Sequence, residues 1–292
     1  MSKIAVVTDS NSGLTKEEAA QYGIFIIPMP FMFSDSTETY FEGVNLDRKT
    51  FFEKQESDIK IVTSQPAPTD VLKVWDRLLK EGYEEIVHIP MSSGLSGSCQ
   101  SAMMLSSDYE GKVQVVNNQR ISGTQRSSAI DAVKLAENGK SAKEIREILE
   151  NARFESSIYI MMDTLKYLKQ GGRITPAAAA VGTLLRIKPV LQIKGERLDA
   201  FAKARTPLQG RKIMIDAMRQ DMIQQYGGID TETCWLYAVH SQSPETFGEW
   251  KKEVQEAFPN FNVLEGTLSL SVCTHIGAGA LAICCSKKII DY

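Results

Sequence analysis

Three segments, Thr8-Asp9-Ser10, Thr63-Ser64-Gln65-Pro66 and Ser92-Ser93-Gly94-Leu95-Ser96-Gly97, each follow a stretch that reads as a strand. All three are rich in hydroxyls or glycine. Hydroxyls and backbone N–H groups at a strand-to-helix turn suit an anionic oxygen, whether of a carboxylate or a phosphate. In an open parallel sheet, ligands bind beyond the carboxyl ends of the strands, so loops of this kind can share one site. Local helix capping accounts for the same residues, because Ser and Thr are favoured before helices in general. Both readings stand on the residues alone.

A serine nucleophile is the second chemistry to weigh. The nucleophile-elbow pattern is G-x-S-x-G, and Gly94-Leu95-Ser96-Gly97-Ser98 has serine where the second glycine belongs. A catalytic base would have to be one of three histidines. His88 lies inside the apolar run Ile86–Ile89 and reads as structural, and His240 ends a strand. His275, in the glycine-rich Thr274-His275-Ile276-Gly277-Ala278-Gly279, is the strongest functional candidate. A serine-dependent acyl hydrolase or transferase using Ser93 with His275 is therefore the competing function. No HExxH or His/carboxylate cluster suggests a metal, and neither a Walker loop nor a strand-following G-x-G-x-x-G is present. No cofactor and no nucleotide site are expected.

Two further segments are basic. Lys169-Gln170-Gly171-Gly172-Arg173 places Arg173 past a double-glycine helix stop, and Arg205 lies in Lys203-Ala204-Arg205-Thr206. Solvated charge with helix C-capping is one reading. Arginine at a turn is also what a protein or phosphate docking point uses. Between them, the small-residue run from Pro176 to Leu185 suits close helix packing or leaves room for a long apolar ligand.

The elements that must position these residues follow from periodicity. Lys3–Ser10 reads as a buried strand, and Thr15 with Glu18 forms a capping box for a helix to Tyr22. Ile24–Phe33, broken by Pro28 and Pro30, suits an irregular or edge strand. Helices are expected from about Asn45, over Asp70–Glu81 with Thr69 as cap, after Ser98, and over Ser122–Asn138 and Ser141–Ala152. Strands are expected at Glu85–Pro90 and Val113–Val116. This alternation implies a mostly parallel sheet. Beyond about residue 155 the grammar changes. Strands are read at Ser157–Met162, Ile187–Ile193, Arg197–Lys203, Trp235–His240, Leu268–Val272 and Ala280–Ser286. Helices are read at Thr164–Lys169, Lys212–Tyr226 and Pro244–Phe258. The expected organisation is an N-terminal α/β domain over 1–155 and a C-terminal α+β domain over 156–292.

Composition limits the partners. Thirty-three Lys+Arg against 36 Asp+Glu give a formal charge of −3, which removes the electrostatic case for nucleic acid. The uncharged stretches Ile86–Ser107 and Gly266–Ser286 are interrupted by seven serines in the first and by Thr, Ser, His275 and three glycines in the second. Neither suits an integral membrane segment. Met1-Ser2-Lys3 precedes only four apolar residues, too few for a secretory signal. Five cysteines with no CxxC pair argue against a disulfide framework or structural zinc and for a cytoplasmic location, with Cys284-Cys285 as buried strand neighbours.

Taken in order, Val7-Thr8-Asp9-Ser10, Thr63-Ser64-Gln65-Pro66, Ser92–Gly97, Gly171-Gly172-Arg173-Ile174, Ile187-Lys188-Pro189-Val190 and His275-x-Gly277-x-Gly279 resemble the DegV family over nearly the whole chain. The resemblance implies a non-catalytic subunit of bacterial fatty acid kinase. Such a subunit carries a long-chain fatty acid and presents it to a separate ATP-binding kinase subunit, which phosphorylates it to an acyl phosphate. It implies the same two-domain fold with a lipid tunnel between the domains. Carried over residue by residue, the carboxylate-binding groups fall on Thr63, Ser93 and Gly94, with His275 in support, and the kinase-docking arginines on Arg173 and Arg205. The chain departs at Ala278, where the family usually has proline, and at Asn11, where it commonly has threonine.

Overall fold

The computed structural model describes residues 3–57, 59–173, 175, 187–242 and 244–289. It forms two compact units, one running to Arg153 and joined by Ile289, the other spanning Phe154–Lys288. The run from Pro176 to Leu185 lies outside the described residues. Among those residues no helix is long and apolar enough to cross a membrane.

The first unit contains β1 (Ile4–Asp9), α1 (Lys16–Tyr22), β2 (Ile24–Ile27), β3 (Pro30–Phe33), β4 (Thr39–Phe41), α2 (Arg48–Glu56) and β5 (Ile61–Thr63). It continues with α3 (Pro68–Lys80), β6 (Glu85–Ile89), α4 (Ser98–Ser106), β7 (Val113–Val115), α5 (Ser122–Glu137) and α6 (Ala142–Asn151). Its main sheet has the order β2-β1-β6-β7 with every pairing parallel. A small antiparallel sheet, β4-β3-β5, splits off where Pro28 and Pro30 interrupt the apolar run after β2. Helix α3 buries Val71, Trp75 and Leu78, one face at helical spacing, against Val7, Ile86 and Val113 of the sheet. The α1 capping box forms as read, with Thr15 accepting from Glu18 N and Glu18 accepting from Thr15 N.

The second unit contains β8 (Ser156–Met161), α7 (Lys166–Gly171), β9 (Lys188–Ile193), β10 (Leu198–Ala204), α8 (Pro207–Gln225) and β11 (Cys234–His240). After these come α9 (Pro244–Ala257), β12 (Leu264–Thr267), α10 (Leu270–Ile276) and β13 (Leu281–Lys287). Its sheet has the order β10-β9-β8-β13-β11-β12, antiparallel except for the β11–β12 pair. Helix α8 covers this sheet with Met214, Met218 and Met222. It is pinned by a buried cluster in which Asp221 accepts from Ser157 Oγ and Tyr159 Oη, each at 2.7 Å, and from Gln225 Nε2 and Lys194 Nζ. Cys284 and Cys285 are both buried in β13.

Several boundaries differ from the sequence reading. α3 begins at Pro68 with Ala67 as N-cap, because proline at the first helical position forfeits no hydrogen bond. α8 begins five residues earlier than expected, capped by Thr206. The largest difference is at 268–276. Leu268, Leu270 and Val272 alternate as in a strand, but Leu270, Cys273 and Thr274 are buried at i, i+3 and i+4, and the segment is helix α10. Ser269 stops the chain from extending and caps that helix. The strand here is the preceding Leu264–Thr267, too short and polar to show a period.

Candidate functional site

In the first unit the three hydroxyl-bearing segments come together at the carboxyl ends of β1, β5 and β6. Thr8 and Asp9 end β1 fully buried, and Thr8 Oγ1 donates to Ile89 O at the end of β6 over 2.8 Å. Met91 N donates to Asp9 Oδ2 over 2.8 Å, which ties the Ser92–Gly97 loop to β1. Met29 N donates to Ser10 Oγ, and Ser64 N donates to the neighbouring Pro30 O, so the β2–β3 linker bridges the first loop to the second. Gly97 meets Gln65 directly: a Cβ there would lie 2.6 Å from Gln65 Oε1. Thr63 is the last residue of β5, opposite Phe31 in β3, rather than part of the loop.

The Ser92–Ser96 turn is closed on itself. Ser92 O accepts from Leu95 N at 3.0 Å and Ser96 N at 3.2 Å, and Ser92 Oγ accepts from Gly94 N at 3.3 Å. The Gly94 N–H is thus engaged inside the turn. Ser92 is buried, whereas Ser93 to Ser96 are partly exposed. The Gly94, Leu95 and Ser96 amides are thus turned inward, while Ser93 lies on the partly exposed side of the turn. No titratable cation is needed for that arrangement, and hydroxyl donors suffice to hold a carboxylate leaving water.

His88 is structural. It is fully buried on β6, edge-on to Trp75 with centroids 5.5 Å apart, and burial alone pushes its pKa down to about 3. His240 ends β11, stacked on Phe247 at 4.3 Å.

In the second unit three other motifs meet. His275 lies in the last turn of α10, not in a glycine turn, and its ring packs against Gly171 at the end of α7. A Cβ on Gly171 would sit 2.1 Å from His275 Nδ1. A Cβ on Gly277 would lie 2.7 Å from the Tyr167 ring, and one on Gly279 would lie 2.9 Å from Asp163 Oδ2. Asp163 in turn pairs with Lys188 at 2.6 Å, and Met162 N donates to Pro189 O. The Gly-Gly-Arg, Ile-Lys-Pro-Val and His-x-Gly-x-Gly motifs are therefore one packed cluster, and the glycines are spacers for side chains.

Gly172 caps α7 with φ of 66°, and Arg173 follows it, exposed and donating Nη1 to Gly171 O. Burial first, and the Arg173 charge second, push the His275 pKa down to about 4. The imidazole is neutral at physiological pH. Arg205 is exposed in the β10–α8 connection, its backbone N donating to Gln209 Oε1 at 2.7 Å. Among the described residues no group of three or more His, Cys, Asp or Glu is arranged to hold a metal.

The sequence reading passed over Gln125, Arg120 and Asp163. Gln125 bonds Thr8 and Asp9 across more than a hundred residues. No local pattern carries such a pairing.

The chain as a whole is similar to known proteins. A sequence profile of the DegV family matches residues 3–288. A DegV domain-containing protein of Listeria innocua is 30% identical over 288 residues, covering 98% of this chain and 99% of the relative. A fatty-acid-binding DegV family protein of Thermus thermophilus superposes with a TM-score of 0.87 at 27% identity, over 98% of this chain and 99% of that one. DegV of Bacillus subtilis, a fatty acid binding protein, superposes with a TM-score of 0.85 at 28% identity, over 99% of this chain and all of that one. With its motifs gathered into these two clusters and the family profile spanning both units, this chain belongs to the DegV family.

Proposed function

We propose that this chain binds a long-chain fatty acid in the cytoplasm, holds its carboxylate with the hydroxyls of Thr63 and Ser93, and presents it to a separate ATP-binding kinase subunit for conversion to an acyl phosphate. The observation that carries this reading is the contact of Gly97, in the loop after β6 that carries Ser93, with Gln65, two residues after Thr63 at the end of β5, in a chain similar to fatty-acid-binding proteins. Each acyl CH₂ removed from water contributes about 0.8 kcal/mol, so the chain supplies affinity and the hydroxyls supply orientation. His275 enters as a neutral hydrogen-bonding group and Gly94 as part of the turn that carries Ser93. Arg173 and Arg205, both exposed, are the proposed contacts for the kinase.

Native mass spectrometry of the purified protein, followed by lipid extraction, tests the reading. One equivalent of fatty acid is expected. Ser93→Ala and Thr63→Ala should each weaken binding by about 1–3 kcal/mol, because a buried carboxylate oxygen loses a donor. A lipid-free protein with no measurable affinity for fatty acid would overturn the proposal. Stoichiometric labelling of Ser93 by a fluorophosphonate would replace it with an acyl hydrolase.

A further inference from the structure

Asp9 is a buried carboxylate of the first unit that the proposed chemistry does not use. It is buried at the end of β1 with only amides on its oxygens. Oδ1 accepts from Asn11 N at 3.0 Å and from Gln125 Nε2 at 3.1 Å, while Oδ2 accepts from Met91 N at 2.8 Å. Gln125 Nε2 also reaches Thr8 Oγ1 and Ile89 O, so the ends of β1 and β6 are clasped by one side chain of α5. Burial raises the Asp9 pKa against the opposing pull of these amides. An apolar residue there would leave the Met91 and Asn11 N–H groups and the Gln125 amide short of an acceptor, so the carboxylate sets where these groups sit.

Its consequence is geometric. Met91 immediately precedes the Ser92–Ser96 turn, and Ser92 N donates to Arg120 O over 2.8 Å. The turn is therefore held at two consecutive amides, by Asp9 from β1 and by Arg120 from the loop before α5. Gln119 in that loop and Ser122, the first residue of α5, are non-glycine residues with left-handed backbone, at φ 58° and 55°. Backbone strain of this kind is kept where surrounding structure over-determines it. Arg120 itself is buried and anchored, Nη1 on Ser128 Oγ at 3.0 Å and Nη2 on Ala152 O at 2.8 Å.

We propose that Asp9 is a positioning residue for ligand binding: through the Met91 N–H it fixes the turn that carries Ser93, in concert with the Arg120 carbonyl on Ser92. The inference rests on the reading of Ser93 as a carboxylate ligand. A hydroxyl presented from a turn clamped on both sides keeps the geometry its ligand needs without reordering on binding.

The test is a double-mutant cycle on the full chain with Asp9→Asn and Ser93→Ala, read as oleate affinity by displacement of a fluorescent fatty-acid probe, with thermal melting alongside. Asparagine keeps the shape of Asp9 but turns an NH₂ toward donors, so about tenfold weaker binding is expected from Asp9→Asn in an otherwise intact protein. In the Ser93→Ala background the same change should cost less than about threefold, because coupled residues are not additive. A general loss of stability would lower melting equally in both backgrounds and would leave affinity additive. If Asp9→Asn does not fold, Gln125→Met, which removes the amide that clasps Asp9 while keeping the volume, is expected to show the same non-additivity with Ser93→Ala. Full affinity in Asp9→Asn beside weakened Ser93→Ala overturns the positioning role and leaves the carboxylate reading in place. Equal losses with and without Ser93 also overturn it. Full affinity in Ser93→Ala overturns the carboxylate reading and the inference together.

Discussion

Gly171→Ala is the sharpest probe of the motif cluster in the second unit. The added methyl would lie 2.1 Å from His275 Nδ1, 2.8 Å from Cε1 and 3.3 Å from Cγ. Ordinary carbon contacts lie at about 3.5–4 Å, so the ring must retreat by roughly 1.5 Å or α7 must move off α10. The His275 ring is a partly buried planar group flanked by α7, not the free end of a flexible chain. Forcing a methyl into such a contact costs about 1–3 kcal/mol. Against this stands the helical preference for alanine over glycine, about 1 kcal/mol. The net expectation is a destabilisation of about 1 kcal/mol, or about 3 °C in melting temperature, with a changed His275 ring resonance in NMR. Gly172→Ala is the control, because nothing lies within 4 Å of its Cβ position and only its φ of 66° resists a side chain. That backbone cost is about 1 kcal/mol. A Gly171→Ala protein that melts at or above the parent temperature would refute the close packing of Gly171 on His275.

Asp221→Ala should destabilise the second unit by about 3 kcal/mol, since it strips the acceptor from Ser157, Tyr159 and Lys194 together, and urea titration monitored at Trp250 would show it. Asp221→Ala with parental stability would remove that cluster from the account of how α8 is held. His88 and His275, with pKa values lowered to about 3 and about 4, are neutral in the folded protein near neutrality. Their stabilising effect is therefore complete above the unfolded value of 6.5 and lost as pH falls toward 4, about 3 kcal/mol each. Asp9, raised rather than lowered, works in the opposite sense in the acid range. Titration of either histidine between pH 8 and pH 6 in an NMR series would contradict this. Arg173→Ala should leave lipid content and melting nearly unchanged while acyl phosphate formation with the kinase falls about thirtyfold, as for a central interface arginine. Loss of lipid in that variant would make Arg173 a ligand contact instead.

Much of the fold is written in short-range pattern. The capping box of Thr15 and Glu18, the apolar spacing Val71–Trp75–Leu78, the apolar run that ends at Thr8-Asp9 and the prolines after Ile27 are patterns among near neighbours in the chain. Each therefore leaves a local signature, and the parallel and mixed sheets follow from the order of those elements. The hydroxyl-rich loops and the glycine-flanked Arg173 and His275 were legible for the same reason: residue type and spacing suffice to name a candidate. What the residues around 268–276 would become was not, because Leu268, Leu270 and Val272 satisfy a strand period as well as the helix that burial of Cys273 and Thr274 selects. The need for glycine at 171, 277 and 279 is set by a histidine, a tyrosine and an aspartate approaching from other elements. Asp9 shows the division most plainly. Its place at the end of a strand is a sequence property, but its partners Met91 and Gln125 stand 82 and 116 residues away. Only the closure of the sheet, with the burial that makes an unpaired carboxylate costly, determines that these groups meet.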